Sequence, residues 1–275
     1  MKKDKESDNK QQNLKDNSRL ENFYDSVYTK GEEKHFTSFV VSGTHSEEAN
    51  EVLREIDWNE KSILDVGCGT GYFAHLVSKY KCTIKGIDFS EEAIKIAKTN
   101  YKKTNLSFEK IDIQNEDKKL EKFDIITSLG TLEHMDNPLE ILSILKKHLE
   151  KNGKMIITSP NWINPRGYML MPLYFLLDAP ITLADLHYFT PVDFEYFAKK
   201  LNMNLEWRTI DHSWANGEIL INDFKRRIPN VLRDMNMDVK PEKINNLISW
   251  IEKNILPFDN SLKHHGATGL YIFSK

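Results

Sequence analysis

Cysteine is nearly absent. Cys68 and Cys82 are the two in 275 residues, and neither belongs to a CxxC or a Cys/His cluster. That rules against a disulfide framework and a zinc site, so no metal is expected, and it fits a reducing compartment. Long apolar runs are missing as well. No stretch reaches the roughly 18 residues that a membrane span needs, and the first residues lack the apolar core of a secretory signal. The expectation is a cytoplasmic protein without a transmembrane segment. Charge of one sign is not in excess: 38 Lys and Arg against 41 Asp and Glu leave a formal net charge of -3. A protein built to grip nucleic acid carries a basic excess, so no nucleic-acid partner is expected. No internal repeat is present, which sets aside solenoids and propellers.

What is there is an ordinary globular balance, 40% hydrophobic and 29% charged, in a chain long enough to bury a core without staples. Residues 1–19 are polar, mixed in charge and almost free of apolar side chains, and read as a disordered tail. Residues 20–275 read as one domain, with lid-like segments at about 161–190 and 214–266. From 20 to 58 the pattern is helical, with Phe23, Tyr24 and Tyr28 forming an aromatic stripe.

Strands alternate with helices from there on. Short apolar runs predict strands over 62–66, 83–88, 106–113, 123–128 and 154–159. The intervening segments carry apolar residues at helical spacing, such as Ile94, Ala97 and Tyr101, or Leu142, Leu145 and Leu149. Ser90 is placed to cap one helix, with Glu91 and Glu92 in its first turn. Asp136 or Asn137 is placed to cap another, with Pro138 at its start and Gly153 past its end. This alternation predicts a doubly wound α/β domain with a parallel sheet. Residues 161–185 read as irregular and proline-rich. A helix over 194–201, a strand over 205–210, two helical segments (the second over 241–256) and a last strand over 269–275 follow.

The chemistry concentrates at the first strand-to-helix turn, Gly67-Cys68-Gly69-Thr70-Gly71. Glycines there let the backbone approach a ligand closely, and in a doubly wound sheet ligands sit at the carboxyl ends of the strands. Asp88 ends the second strand about twenty residues on, where a carboxylate can accept both hydroxyls of an adenosine ribose. A dinucleotide site shares these features, but its fingerprint is GxGxxG. Here the spacing is GxGxG, Tyr72 stands where the third glycine would be, and Asp65 beside the turn would repel a pyrophosphate. Asp65 suits a ligand bearing a methionine amine. Asp112, in the third strand, agrees with the same site.

At these residues the chain resembles the class I S-adenosylmethionine-dependent methyltransferases, in particular the small-molecule branch that includes the ubiquinone- and menaquinone-biosynthesis enzymes. ILDVGCGTGYF at 63–73 looks like that family's first motif, and GIDFSEEAIKIA at 86–97 like its second. FDIITSLGTLEHMDNP at 123–138 is similar to its fourth-strand motif with the LEH turn. The resemblance implies a Rossmann-like seven-stranded sheet with an antiparallel last strand, and S-adenosylmethionine as cofactor with S-adenosylhomocysteine as product. It implies that Gly67, Cys68 and Gly69 line the methionine part, that Asp88 holds the ribose and that Phe89 lies against the adenine. Asp112 would meet the adenine amine, Ile113 would pack on the ring and Leu129 would offer its backbone near the methionine amine. Tyr28 would cover the cofactor from the N-terminal helix. The Asn/Asp-Pro-Pro-aromatic motif of base and glutamine N-methyltransferases is missing after the fourth strand, where Ser128-Leu129-Gly130-Thr131 stands.

Methyl transfer to a hydroxyl needs positioning and a proton acceptor. His187 is the first candidate base and His134, in the LEH turn, the second. Trp162, Tyr174, Tyr188 and Trp214 are the candidate acceptor contacts. The expected reaction is O-methylation of a sugar, a polar metabolite or a quinone-like ring. Small-molecule N-methylation and a catalytically silent cofactor-binding subunit are the alternatives. The apolar stretch 168–177 leaves room for core packing, a substrate wall or peripheral membrane contact, and the segment 216–256 for a substrate cover or a homodimer contact.

Overall fold

The computed structural model describes residues 47–115, 120–182, 185–212, 217–254 and 264–275. The tail at 1–19, the aromatic stripe with Tyr28, and Trp214 lie outside the described residues.

Seven strands form one sheet: β1 (Ser62–Val66), β2 (Thr83–Asp88), β3 (Leu106–Lys110), β4 (Phe123–Leu129), β5 (Leu149–Pro160), β6 (Asn204–Ile210) and β7 (Thr268–Ser274). Their order is β3-β2-β1-β4-β5-β7-β6. The first five are parallel, and β7 runs antiparallel between β5 and β6. The expected doubly wound sheet with an antiparallel last strand is therefore present. Strand order reverses between β1 and β4, and a crevice opens at the carboxyl ends of strands on either side of such a reversal.

The helices are α1 (Glu47–Leu53), α2 (Tyr72–Val77), α3 (Glu91–Asn100), α4 (Pro138–Lys147), α5 (Pro165–Leu177), α6 (Pro191–Leu201), α7 (Gly217–Asp234) and α8 (Pro241–Asn254). Two apolar cores cover the sheet. One joins Leu64, Val66, Ile126 and Ile157 to α4 and α6; the other joins Ile63, Ile84, Ile125 and Ile156 to α1, α2 and α3. Because successive strand side chains alternate in direction, Ile63 and Leu64 feed opposite cores. Ser90 caps α3 as expected, accepting the Ala93 amide at 3.1 Å. Asn137 is the N-cap of α4 by position, without a side-chain cap bond, and Pro138 fills the first helical position.

Several boundaries differ from the sequence pattern. β3 ends at Lys110, because Asp112 turns the chain by accepting the Gln114 amide at 3.0 Å and the Asn115 side-chain amide at 2.6 Å. α4 ends at Lys147, so Leu149 and Gly153 belong to β5, whose pairing with β4 shifts register between Phe123 and Ile125. The largest difference is in 161–185, which contains the 13-residue helix α5. Asn164 caps it, accepting the Gly167 amide at 3.0 Å, and Pro165 occupies its first position. Pro172 takes the donor away from the Tyr168 carbonyl, but both residues are on the exposed side, where water can replace it. Gly167 presses on the backbone of Trp162 more closely than a Cβ would allow, which seats the start of α5 against the end of β5. A third core, built from Trp162, Leu170, Ile181, Phe224, Ile228 and Ile248, ties α5 to α7 and α8. No helix among the described residues is long and apolar enough to cross a membrane.

Candidate active site

The glycine turn follows β1 directly. Gly67, Gly69 and Gly71 have φ of 72°, 51° and 81°, in the left-handed region where a Cβ is strained. Two of them also have no room for one. A Cβ on Gly67 would overlap the Thr131 side chain, and one on Gly71 would come within 2.5 Å of the Phe108 ring. The turn is anchored at both sides: the Gly67 and Cys68 amides donate to the Ile87 carbonyl at 2.9 and 3.0 Å, and the Gly69 amide donates to Asp88 Oδ2 at 2.9 Å. Asp88 Oδ1 accepts the Ser90 amide, also at 2.9 Å. A single buried carboxylate thus joins the first turn to the second, and the Ile111 amide donates to the Asp88 carbonyl at 3.0 Å, bringing the segment of Asp112 and Ile113 alongside.

Asp65 sits on β1 opposite Gly86 of β2 and Thr127 of β4. Its carboxylate accepts the Thr127 hydroxyl at 2.7 Å. Burial pushes its pKa up to about 7 against the help of that hydrogen bond, and the charge of Asp88 pushes the same way. Burial and the same two carboxylates push the Cys68 thiol up, which removes it as a nucleophile. Among the candidate cofactor contacts, Asp65, Gly67, Cys68, Gly69, Asp88, Phe89, Asp112, Ile113 and Leu129 all fall at or just beyond the carboxyl ends of β1 to β4. Ile113 is buried in the core with Val66 and Leu132.

The LEH residues form a short 3-10 turn, Leu132–His134, after β4. His134 Nδ1 lies 3.5 Å from Asp185 Oδ1, with both side chains largely buried. Burial raises the Asp185 carboxyl, while the positive charges of His134, Arg166 and Arg227 pull it back. His187 is held differently. Its amide donates to the Glu133 carbonyl at 3.2 Å, its Nε2 is 2.9 Å from the Met135 carbonyl, and its ring stacks on Phe189. A carbonyl only accepts, so Nε2 carries the hydrogen. Trp162, Tyr188 and Tyr174 come together around α5: Trp162 and Tyr188 meet edge to face at 5.2 Å, and Tyr188 meets Tyr174 at 4.5 Å.

Three groups that the sequence pattern did not single out belong here. Glu133 is 2% exposed, and burial together with the neighbouring Asp185 lifts its carboxyl well above the usual range. Asp185 was visible in the DLHYF run, but nothing local pairs it with His134, 51 positions away. Ser128 Oγ, Ser159 Oγ and Glu133 Oε2 are buried at or just beyond the carboxyl ends of β4 and β5. The Ser159 hydroxyl lies beside the Glu133 carboxyl and partly offsets its rise, which leaves Ser128 Oγ as the buried polar atom of the three without a neighbour to satisfy it.

Comparison with known proteins agrees with this geometry. The profile of a family described as "Methyltransferase domain" matches residues 58–207. The ubiquinone biosynthesis O-methyltransferase of Coxiella burnetii is 30% identical over 112 residues, which cover 40% of this chain and 48% of that protein. The chain thus spans about half the length of the curated relatives it matches. A SAM-dependent methyltransferase from Thermotoga maritima shares the fold with a TM-score of 0.57 at 14% identity, over 92% of this chain and 98% of that one. One from Archaeoglobus fulgidus does so with a TM-score of 0.56 at 19% identity, over 88% and 100%. The family profile spans more than half of the sequence, and with the sheet order and the glycine turn it shows that the chain belongs to the class I S-adenosylmethionine-dependent methyltransferases.

Proposed function

We propose that the chain methylates an oxygen of a small-molecule acceptor and releases S-adenosylhomocysteine. The residues fit the cofactor. The left-handed glycine turn leaves its backbone bare, Asp88 and Asp65 supply carboxylates on either side of it, and the buried Ser128 hydroxyl lies beyond. When bound, S-adenosylmethionine supplies an electrophilic methyl group on its sulfonium. Asp88 holds the Gly69 and Ser90 amides and would accept the ribose hydroxyls at the end of β2. Asp65 would hold the methionine ammonium, whose positive charge would favour the ionised carboxylate.

The observation that carries the oxygen assignment is the His134–Asp185 pair. A hydroxyl acceptor must lose a proton, and an imidazole turned by a buried carboxylate is built to receive one. Asp185 faces Nδ1 and so favours the tautomer with hydrogen there. His187 has committed its own Nε2 to Met135, which favours His134 over His187 as the base and gives His187 the role of fixing the lid to the LEH turn. Tyr174 and Tyr188, both half-buried, provide aromatic surface for the acceptor's apolar body, and Trp162 backs Tyr188 from the third core. The testing experiment is a methyl-transfer assay with a panel of phenolic, sugar and amine acceptors, following S-adenosylhomocysteine release. Turnover with hydroxyl acceptors is expected; turnover with amines alone overturns the oxygen assignment.

A further inference from the structure

The lid carries a guanidinium that its own surroundings leave incomplete. Arg166, in the first turn of α5, is 9% exposed. Its Nη2 reaches the carbonyls of Asn161 and Ala267 at 3.4 and 3.3 Å, beyond the usual range, and its Nε is buried without a partner. Asp223, Asp185 and Asp211 bear on it through space, none of them in a hydrogen bond or ion pair with it, and the first two are engaged elsewhere. Asp223 takes a bidentate contact from Arg227 at 2.9 and 3.0 Å and a third from Arg226 at 3.1 Å. Asp185 faces His134. Burial and the charge of Arg227 draw the Arg166 guanidinium down to about 10, so it is still a cation at neutral pH.

Burying a cation with unfilled donors is costly unless something pairs it. The position of this one is informative. Its Cζ lies 5.0 Å from the centre of the Trp162 ring, and Trp162 meets Tyr188, which packs on Tyr174. It also acts on Asp185, the partner of the proposed base. Cation, aromatic cluster and the carboxylate facing His134 are therefore linked in one neighbourhood. A planar fork of donors matches the two oxygens of a carboxylate or of a phosphate.

We propose that Arg166 is a specificity-determining residue that receives an anionic oxygen group of the acceptor, a carboxylate or a phosphate, while Tyr174 and Tyr188 hold its apolar body. This rests on the small-molecule reading above.

The test uses the full chain saturated with S-adenosylhomocysteine, and benzoate, phenyl phosphate and benzamide as probes, with affinities from ligand-observed NMR. At least one anion should bind about tenfold or more tightly than neutral benzamide, the effect of a charge-assisted hydrogen bond; which anion wins separates carboxylate from phosphate. Arg166→Gln should erase the preference, and Arg166→Lys should keep part of it, since it retains the charge without the fork. In 15N-arginine-labelled wild type, which needs no variant to fold, a guanidinium Nε signal should move with the preferred anion and not with benzamide. Equal binding of all three probes to wild type overturns the proposal, as does an anion preference that survives Arg166→Gln or leaves every arginine signal in place. Failure to bind S-adenosylhomocysteine would count against the methyltransferase reading; binding it without an anion preference removes the role of Arg166 alone.

Discussion

His134 Nδ1 and Asp185 Oδ1 face each other at 3.5 Å, joining the turn after β4 to the lid segment before α6. If this pair is the base, His134→Ala lowers the methyl-transfer rate by roughly 10²–10⁴. The acid limb of the pH–rate profile flattens, and S-adenosylhomocysteine affinity is unchanged. Asp185→Asn lowers the rate less, because the imidazole keeps its place. His187→Ala costs lid stability and little of the chemistry. Full turnover by His134→Ala, with the acid limb lost in His187→Ala instead, reverses the assignment.

Asp88→Ala removes the acceptor for both the Gly69 and the Ser90 amides, along with the proposed ribose contact. Hydrogen bonds to a charged group contribute about 1.5–3 kcal/mol each, so cofactor affinity should fall at least tenfold (about 1.4 kcal/mol) by calorimetry. A folded Asp88→Ala protein with wild-type affinity would place the ribose elsewhere.

The raised Asp65 carboxyl makes a pH prediction with a definite sign. Its folded pKa, about 7, lies above the ordinary 3.8 because of burial and the nearby Asp88. Between these values the native state holds a proton that the unfolded chain has released. The stability contribution is therefore complete below pH 4 and is lost as pH rises to 7, a change on the order of 4 kcal/mol. Thermal melts of the ligand-free chain should show Asp65→Asn, which still accepts from Thr127, gaining on wild type across that window. A methionine ammonium beside Asp65 favours its ionised form. Cofactor binding near pH 6 should then release up to about one proton, seen as a buffer-dependent binding enthalpy. Parallel stability profiles and no proton release would show that Asp65 is already ionised.

Gly67→Ala combines a φ of 72° with overlap on Thr131. It should destabilise the fold by about 1–3 kcal/mol and weaken the cofactor. Adding Thr131→Gly removes the overlap and should restore part of the stability but not the part due to backbone strain. No recovery in the double variant would mean that strain alone explains the loss.

The parallel strands, the glycine turn and Asp65, Asp88 and Asp112 were legible because each is a local signal. Buried strands read as short apolar runs, and glycines mark backbone that no side chain can occupy. α5 was not legible, since YMLMPLYFLL is apolar on every side and so has no helical period, and its two prolines imitate loop residues. Whether β7 lies between β5 and β6 is likewise a matter of which edge closes over the core, and the family resemblance supplied only the expectation that the last strand is antiparallel.

The sequence by itself determined the doubly wound sheet and the acidic glycine turn at the carboxyl ends of its strands, because hydrophobic period, glycine and charge act over a few residues. Only the tertiary structure decided that His134 faces Asp185 while His187 is bonded to Met135. It alone left Arg166 buried beside Trp162 with its Nε unpartnered. Those relationships join residues far apart in the chain, and they depend on how the lid packs over the sheet, which no local pattern encodes.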